Sequence, residues 1–563
     1  MSERLCPNQV RESPVHDYVI VGAGSAGCVL ASRLSENPNT RVLLLEAGPP
    51  DDADEIHIPA ALNLLFQSSL DWGYRTVPQA RAGDREIYWP RGRVLGGCSS
   101  INAMIYIRGS RLDYDTWRDE YGCDGWSYTD VLPYFIRSER NSRGASPFHG
   151  ASGPLSVVDP KFKSATVKAF VEAAVYNGAP ANSDFNGAGQ EGVGFYQVTQ
   201  EGGRRFSAAD AYLRPAADRP NLTVQTDALV TGVVIEAGRA VGVRYIHHGA
   251  EQTARADAEV ILAAGTIGSP RLLMLSGVGP ADHLREHNIL VQADSPGVGA
   301  NLADHPTVAV IWSTPGVRGL AEQVGRASQL RWQFSHSGPM TSNIAQAGGF
   351  ARSQSRLRAP DLQWHVLPVP FRDGGLADPA DRGMSVLVSL LDVHSRGRIL
   401  LRGPDPRHKP LIDPGYLADP ADLDALVRGV RMVRDIAATR PMRRVTDAEL
   451  TPGERLSTDA ELRDFVRREV TTIYHPVGTC AMGGGTRLRG GIGLAPVVDP
   501  DLRVIGVDNL RVVDASVMPT LPRGNTNAPV IALAERASDL ISGRAPLAPV
   551  EIGDLALSGP PGR

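Results

Sequence analysis

Three glycines and an acid carry the first recognisable chemistry of the chain. The apolar run Val19-Ile20-Val21 is followed at once by Gly22-Ala23-Gly24-Ser25-Ala26-Gly27, then by the helix-like Cys28 to Leu34, and a second apolar run from Val42 to Leu45 ends in Glu46-Ala47. Strand, glycine turn, helix and strand within about thirty residues make a βαβ dinucleotide-binding unit. Gly22 permits the tight turn, Gly24 lets a pyrophosphate approach the backbone, and Gly27 lets helix and strand pack closely. The helix N-terminus offers unpaired N–H groups and a positive dipole end to the phosphates. Glu46 stands where a carboxylate accepts hydrogen bonds from ribose hydroxyls; its charge opposes a 2′-phosphate, which leaves FAD or NAD. Far downstream, Ile473-Tyr474-His475-Pro476 sets a histidine between an aromatic and a proline, and Gly524-Asn525-Thr526-Asn527 is an Asn-rich stretch. Taken alone, His475 reads as a packed or surface residue and Asn525 as part of a turn.

At 563 residues the chain exceeds one ordinary core, so two domains are expected. Charged residues make up 21% and the formal net charge is -4, neither of which suggests a nucleic-acid partner or an acidic tail. No apolar run is long enough to span a bilayer, and Met1 to Pro7 lacks the apolar stretch of a secretory signal. Five scattered cysteines, Cys6, Cys28, Cys98, Cys123 and Cys480, lack metal-ligand spacing and read as small packing residues in a reducing compartment. His247-His248 is a surface pair without further ligands. The expectation is a cytoplasmic protein with no metal.

The stretch Pro90 to Ile105 carries glycine pairs, then Ser99-Ser100, then an apolar run, which suggests backbone packed against something flat and then a helix. It resembles the first signature of the glucose-methanol-choline (GMC) family of FAD-dependent alcohol oxidoreductases. Gly265 to Gly279 is similar to the second signature, and Pro270 and Gly277 in it fit the start and the end of a capped helix. Further blocks at Arg205 to Tyr212, Pro296 to Pro306, Ser395 to Arg398 and Leu510 to Ser516 extend the resemblance over most of the chain. It implies that Gly97, Asn102, Ala103, Met104 and Ile105 contact FAD. It also implies that the Val230 backbone meets the adenine and that Asp514 and Ala515 lie by the ribityl chain and pyrophosphate. Tyr474 and Thr526 complete the implied cofactor set. Some members attach FAD through a histidine just before the asparagine; that position is Ile101 here, so FAD is expected to be non-covalent.

In the same comparison His475 falls on the family's catalytic histidine, and Asn525 on a partner position occupied by His or Asn. Alcohol oxidation removes a hydroxyl proton and a hydride. Flavin N5 takes the hydride, and a base with a pKa of about 6.5 suits the proton. Asn525 donates and orients but is a poor base, leaving His475 for that task. His305 either lines the cavity or fixes a turn. Choline-specific members carry an acid where this chain has Thr307, which disfavours choline and favours a neutral primary alcohol. Trp332, Trp364, Phe371 and Tyr474 are candidate pocket aromatics. The electron acceptor is O2 or a dye- or quinone-type acceptor, and apolar Ile473 permits an oxidase.

Alternatives are a hydroxynitrile-lyase-like enzyme with idle FAD, a choline-type dehydrogenase, a two-domain NAD dehydrogenase and a flavin photodecarboxylase. The motifs at 92–105 and 265–279 oppose the NAD enzyme, and His475 opposes the photodecarboxylase. The expected fold is α/β. A Rossmann-like FAD-binding domain comes from 16–155, 223–305 and 471–543, and a flexible tail covers 544–563. The resemblance implies an α+β substrate domain with a mostly antiparallel sheet, from 156–222 and 306–470.

Overall fold

The computed structural model describes residues 15–376, 382–484 and 495–550. The expected loose arm at the N-terminus, Cys6 and the last part of the tail lie outside the described residues. The nearer part of the tail is tied down. The Leu547 N–H donates to the Tyr134 hydroxyl at 3.0 Å and the Val550 N–H to the Thr129 carbonyl at 3.1 Å.

Two seven-stranded sheets frame the molecule. At the centre of the first, His16–Val21 pairs in parallel with Val42–Leu45 on one side and with the end of Ala250–Leu262 on the other. Leu222–Gln225 and Leu510–Val512 extend the parallel part at its two edges. Val19, Ile20, Val42 and Leu44 are fully buried, as near-continuous apolar strands covered on both faces must be. Ala250–Leu262 changes character along its length. Its first half is mostly exposed and pairs antiparallel with Arg239–His247, which in turn pairs with Ala228–Glu236. Its last three residues are buried and belong to the parallel part. The sequence follows this change, from Ala-Glu-Gln-Thr-Ala-Arg-Ala-Asp to Val-Ile-Leu.

The second sheet runs in the order Glu449–Thr451, Pro306–Ser313, Gly383–Leu390, Leu362–Leu367, Ala347–Ala351, Gly192–Phe195, and every pairing in it is antiparallel. The Pro420–Ala437 helix packs against it closely at Gly429, where a Cβ would stand 2.4 Å from Val388 and 3.1 Å from Leu362. All eight residues of Gly383–Leu390 and all six of Leu362–Leu367 are buried, polar ones included. Thr471–Thr472 pairs with Pro306 and Thr307, so the chain leaves this sheet only one residue before Tyr474. Ahead of Leu222, Ala209–Leu213 instead packs against the Ser25–Leu34 helix, and Tyr212 donates to Glu535 at 2.8 Å. This stretch therefore sits on the dinucleotide side.

Two local expectations are corrected. The apolar run after Ser100 is no helix: Gly97–Ser100 is one 3-10 turn, Met104 has φ 58°, and the next helix begins at Arg111. Asn102 Oδ1 accepts the Met104 N–H at 2.9 Å, a local turn that competes with helix formation. The helix of the second signature begins at Gly265, not near Pro270, which lies inside it. The carbonyl that Pro270 leaves without its intrahelical donor is that of Thr266, and the Thr479 hydroxyl takes it at 2.6 Å.

Candidate active site

A cavity lies between the two sheets, lined by Gly24 and Glu46 on one side and by His475 and Asn525 on the other. A lining shared by the glycine turn and the antiparallel sheet suits a dinucleotide with a small substrate beside it. Every expected site residue lines it except Gly27. A Cβ on Gly27 would stand 1.9 Å from the Gly22 carbonyl oxygen, so this glycine serves helix–strand packing. A Cβ on Gly24 meets nothing within 4 Å, so Gly24 opens on the cavity.

Three helices bring their N-termini to this space. Ser25–Leu34 and Asn527–Ile541 lack a side-chain cap, Gly265–Leu275 has its first N–H taken by Asp514, and Ser25, Gly265 and Asn527 line the cavity. The dipole ends of all three and the orphan N–H groups of the first and last suit a pyrophosphate. Ser25 Oγ donates to Asn527 Oδ1 at 2.6 Å and ties two of these ends together. At the end of Val42–Leu45, the Glu46 carboxylate accepts the Ala23 and Gly48 N–H groups at 2.9 and 2.8 Å. Burial pushes its pKa up to about 7 against those two hydrogen bonds. Asp514 accepts from the Gly265 N–H at 2.9 Å, Ser269 Oγ at 2.5 Å and the Ser516 N–H at 2.8 Å, so it orients the helix start and the 3-10 turn after the last parallel strand. The orphan donors, Glu46 and the open face of Gly24 together fit FAD. Ile101 lines the same wall.

The other end of the cavity is built on the antiparallel sheet. Asp304, just before the Pro306–Ser313 strand, is buried and accepts from Tyr416 Oη, from Thr472 Oγ1 and, at 2.7 Å, from the His475 N–H. Tyr474 turns the chain with φ 68°, and Arg91 holds its carbonyl at 2.6 Å. His475 is thus fixed by its backbone before its ring makes any contact. Its Nε2 lies 3.3 Å from Asn525 Nδ2, and its Nδ1 lies 3.1 Å from His305 Nδ1. Burial first, then the neighbouring His305, His365 and Arg91, hold the His475 pKa well below the ordinary histidine value. Burial lowers His305 and His365 to about 3, so the imidazoles here are neutral.

His305 stands behind His475 rather than on the cavity wall. Phe371 and Tyr474 line the cavity, whereas Trp332 donates to the Gly203 carbonyl at 3.0 Å and Trp364 packs edge-on against Phe170 outside it. Thr307 turns into the sheet and donates to the Val388 carbonyl at 3.0 Å. Asp304, Arg91, Asn343, Gln363 and His365 escaped the sequence reading. Of these, Gln363 and His365 alternate with Leu362, Trp364 and Val366, a period-two pattern that marks one strand face as polar.

Comparison with known proteins identifies the family. Family models described as GMC oxidoreductase match residues 16–307 and 393–534. The chain is 43% identical to an alcohol dehydrogenase [acceptor] of Pseudomonas putida, over 94% of this chain and 96% of that one. It is also 43% identical to a mitochondrial choline dehydrogenase of Mus musculus, over 94% and 89% of the two chains. Among solved structures, pyridoxine 4-oxidase from Mesorbium loti superposes with a TM-score of 0.85 at 33% identity, covering 94% of this chain and all of that one. The chain belongs to the GMC oxidoreductase family and is an FAD-dependent oxidoreductase.

Proposed function

We propose that the protein oxidises a primary alcohol to the aldehyde, with His475 as the proton acceptor. The observation that carries this reading is the pair His475 Nε2 and Asn525 Nδ2, 3.3 Å apart on the wall of the cavity that fits FAD. Bound FAD supplies the hydride acceptor, at N5 of the flavin. The protein's own residues handle the proton. An alcohol oxygen between the two groups accepts from Asn525 Nδ2 and donates to His475 Nε2. As that proton moves, the Asn525 N–H meets the charge growing on oxygen, where a desolvated donor is worth most. A neutral imidazole is the required starting state, and burial supplies it. Among the described residues the cavity takes carboxylates only from Glu46 and Asp514, both at the dinucleotide end, and Thr307 faces away. This supports a neutral alcohol over choline. Ile101 at the attachment position supports non-covalent FAD.

The test is the visible spectrum of the purified holoenzyme under anaerobic addition of primary alcohols, followed by air. Bleaching by an alcohol supports the reading, and the speed of recovery in air separates O2 from a dye- or quinone-type acceptor. A flavin that no primary alcohol bleaches overturns it.

A further inference from the structure

Behind Asn525 a line of hydrogen bonds runs into the antiparallel sheet, and its direction is set at the far end. The Trp364 carbonyl oxygen only accepts. The Tyr196 hydroxyl lies 2.6 Å from it and must donate its single proton there. The Tyr196 oxygen is left with lone pairs only, so Gln363, 3.2 Å away, presents Nε2 to it. The second hydrogen of that Nε2 goes to Asn525 at 3.2 Å, which must offer Oδ1. With Oδ1 held, Asn525 Nδ2 faces His475 Nε2 and donates to it. A nitrogen that accepts carries no hydrogen, so the His475 proton sits on Nδ1 and is given to His305 Nδ1 at 3.1 Å.

We propose that Tyr196 and Gln363 are positioning residues that fix the direction of the Asn525 amide and thereby hold His475 in the tautomer whose bare Nε2 faces the alcohol. The inference rests on the alcohol-oxidising reading of the site. Hydrogen positions follow here from one acceptor-only backbone group rather than from free choice along the chain. Turning the Gln363 amide over would set Oε1 against the Tyr196 lone pairs and strand a buried NH2. As placed, the atom left without a partner is Oε1, the cheaper loss. The His305 ring keeps the same role before and after proton transfer. When the alcohol gives its proton to Nε2, the imidazolium still donates Nδ1–H to His305, and no proton crosses the relay. The line ends at His305, whose own proton then sits on Nε2, a buried N–H with no partner among the described residues, which is what this order of bonds costs.

The sheet is shaped for the first bond of this line. Tyr196 follows Gly192–Phe195, Gly348 lies on Ala347–Ala351, and Gln363 lies on Leu362–Leu367, three neighbouring strands. A Cβ on Gly348 would stand 2.2 Å from the Tyr196 oxygen and 1.8 Å from the Trp364 oxygen, so glycine is what lets the two meet. Tyr196 and Gln363 are both fully buried, out of reach of water that could reverse the order.

The experiment uses 15N-histidine-labelled holoenzyme, with the His475 ring signals assigned by their loss in His475→Gln. The wild type is expected to show a protonated Nδ1 and a bare Nε2, and isosteric Gln363→Glu to move the proton to Nε2, because its carboxylate captures Asn525 Nδ2 and turns Oδ1 to the histidine. In anaerobic flavin reduction, Gln363→Met is expected to slow the reaction about tenfold at unchanged FAD content. It should add nothing in an Asn525→Ala background, the signature of a residue acting through another. Tyr196→Phe, which removes only the anchoring oxygen, should shift both readouts in the same direction by less. A wild-type His475 protonated on Nε2, or a Gln363→Met loss that multiplies with that of Asn525→Ala, overturns the proposal. Failure of every alcohol to reduce the flavin would instead strike the functional reading, while the ring signals still decide the tautomer.

Discussion

The parallel sheet and the antiparallel sheet meet the same cavity with different materials. On the parallel side the site is made of backbone: Gly22 and Gly24 at one strand end, and helix N-termini at Ser25, Gly265 and Asn527. On the antiparallel side it is made of buried polar side chains, Asp304, Gln363, His365 and the Asp304-held His475. A backbone site demands glycine at fixed spacing and therefore marks the local sequence. A side-chain site is assembled from strands distant in the chain, and each member alone resembles an ordinary core residue.

Breaking the side-chain half should cost the most. His475→Gln is expected to slow flavin reduction by about 10²- to 10⁴-fold, the usual worth of a general base, with FAD content and thermal stability unchanged; a loss of flavin instead would make His475 part of the backbone half. The two glycines then separate the roles inside that half. Gly27→Ala forces a Cβ to within 1.9 Å of the Gly22 oxygen, and overpacking of about 1–3 kcal/mol should lower both Tm and FAD occupancy. Gly24→Ala, with open space around its Cβ, should leave the Tm of the cofactor-free protein alone and weaken FAD binding measured by flavin fluorescence.

Acid–base behaviour should also divide between the halves. The His475 pKa is held well below 6.5, so protonation that removes the base sets in only at low pH. The acid limb of flavin reduction should therefore fall below pH 6.5. Glu46 shifts the other way, to about 7 from 4.5, so the folded protein holds that proton longer than the unfolded chain does. Its contribution to the stability of the cofactor-free protein is full below about pH 4.5 and is lost as pH rises through about 7. Glu46→Gln should flatten denaturant midpoints across that window. The smallest effect is expected at Thr307. Thr307→Ala loses one hydrogen bond to the Val388 carbonyl, about 1 kcal/mol of stability, with no change in preference between choline and neutral alcohols.

The βαβ unit was legible because three constraints coincide within one short stretch: strand burial, turn geometry and an acid at the next strand end. The family resemblance added His475 and Asn525, which residue type alone left as a packed histidine and a turn. The antiparallel sheet was not legible from periodicity. Gly383–Leu390 and Leu362–Leu367 are buried on both faces, so Ser385, Ser389, Gln363 and His365 interrupt their hydrophobic runs without marking a solvent side. Pro270 misled for a related reason. Its cost is offset by Thr479, 209 positions away from it in the sequence, and no local rule reports such a partner. The run Ile101 to Ile107 was misjudged because its apolar residues serve two packing surfaces at once, with Ile105 bridging Val198 while Ile101 packs near Val94.

The convergence of helix starts at Ser25, Gly265 and Asn527 has a consequence for how the protein is made. These three ends lie far apart in the sequence, so the lining they share is complete only once the Asn527–Ile541 helix has been made and docked. Chains cut short before Asn527 are expected to hold flavin poorly, so the ratio of flavin to protein absorbance should report the fraction of molecules in which the Asn527–Ile541 helix is docked.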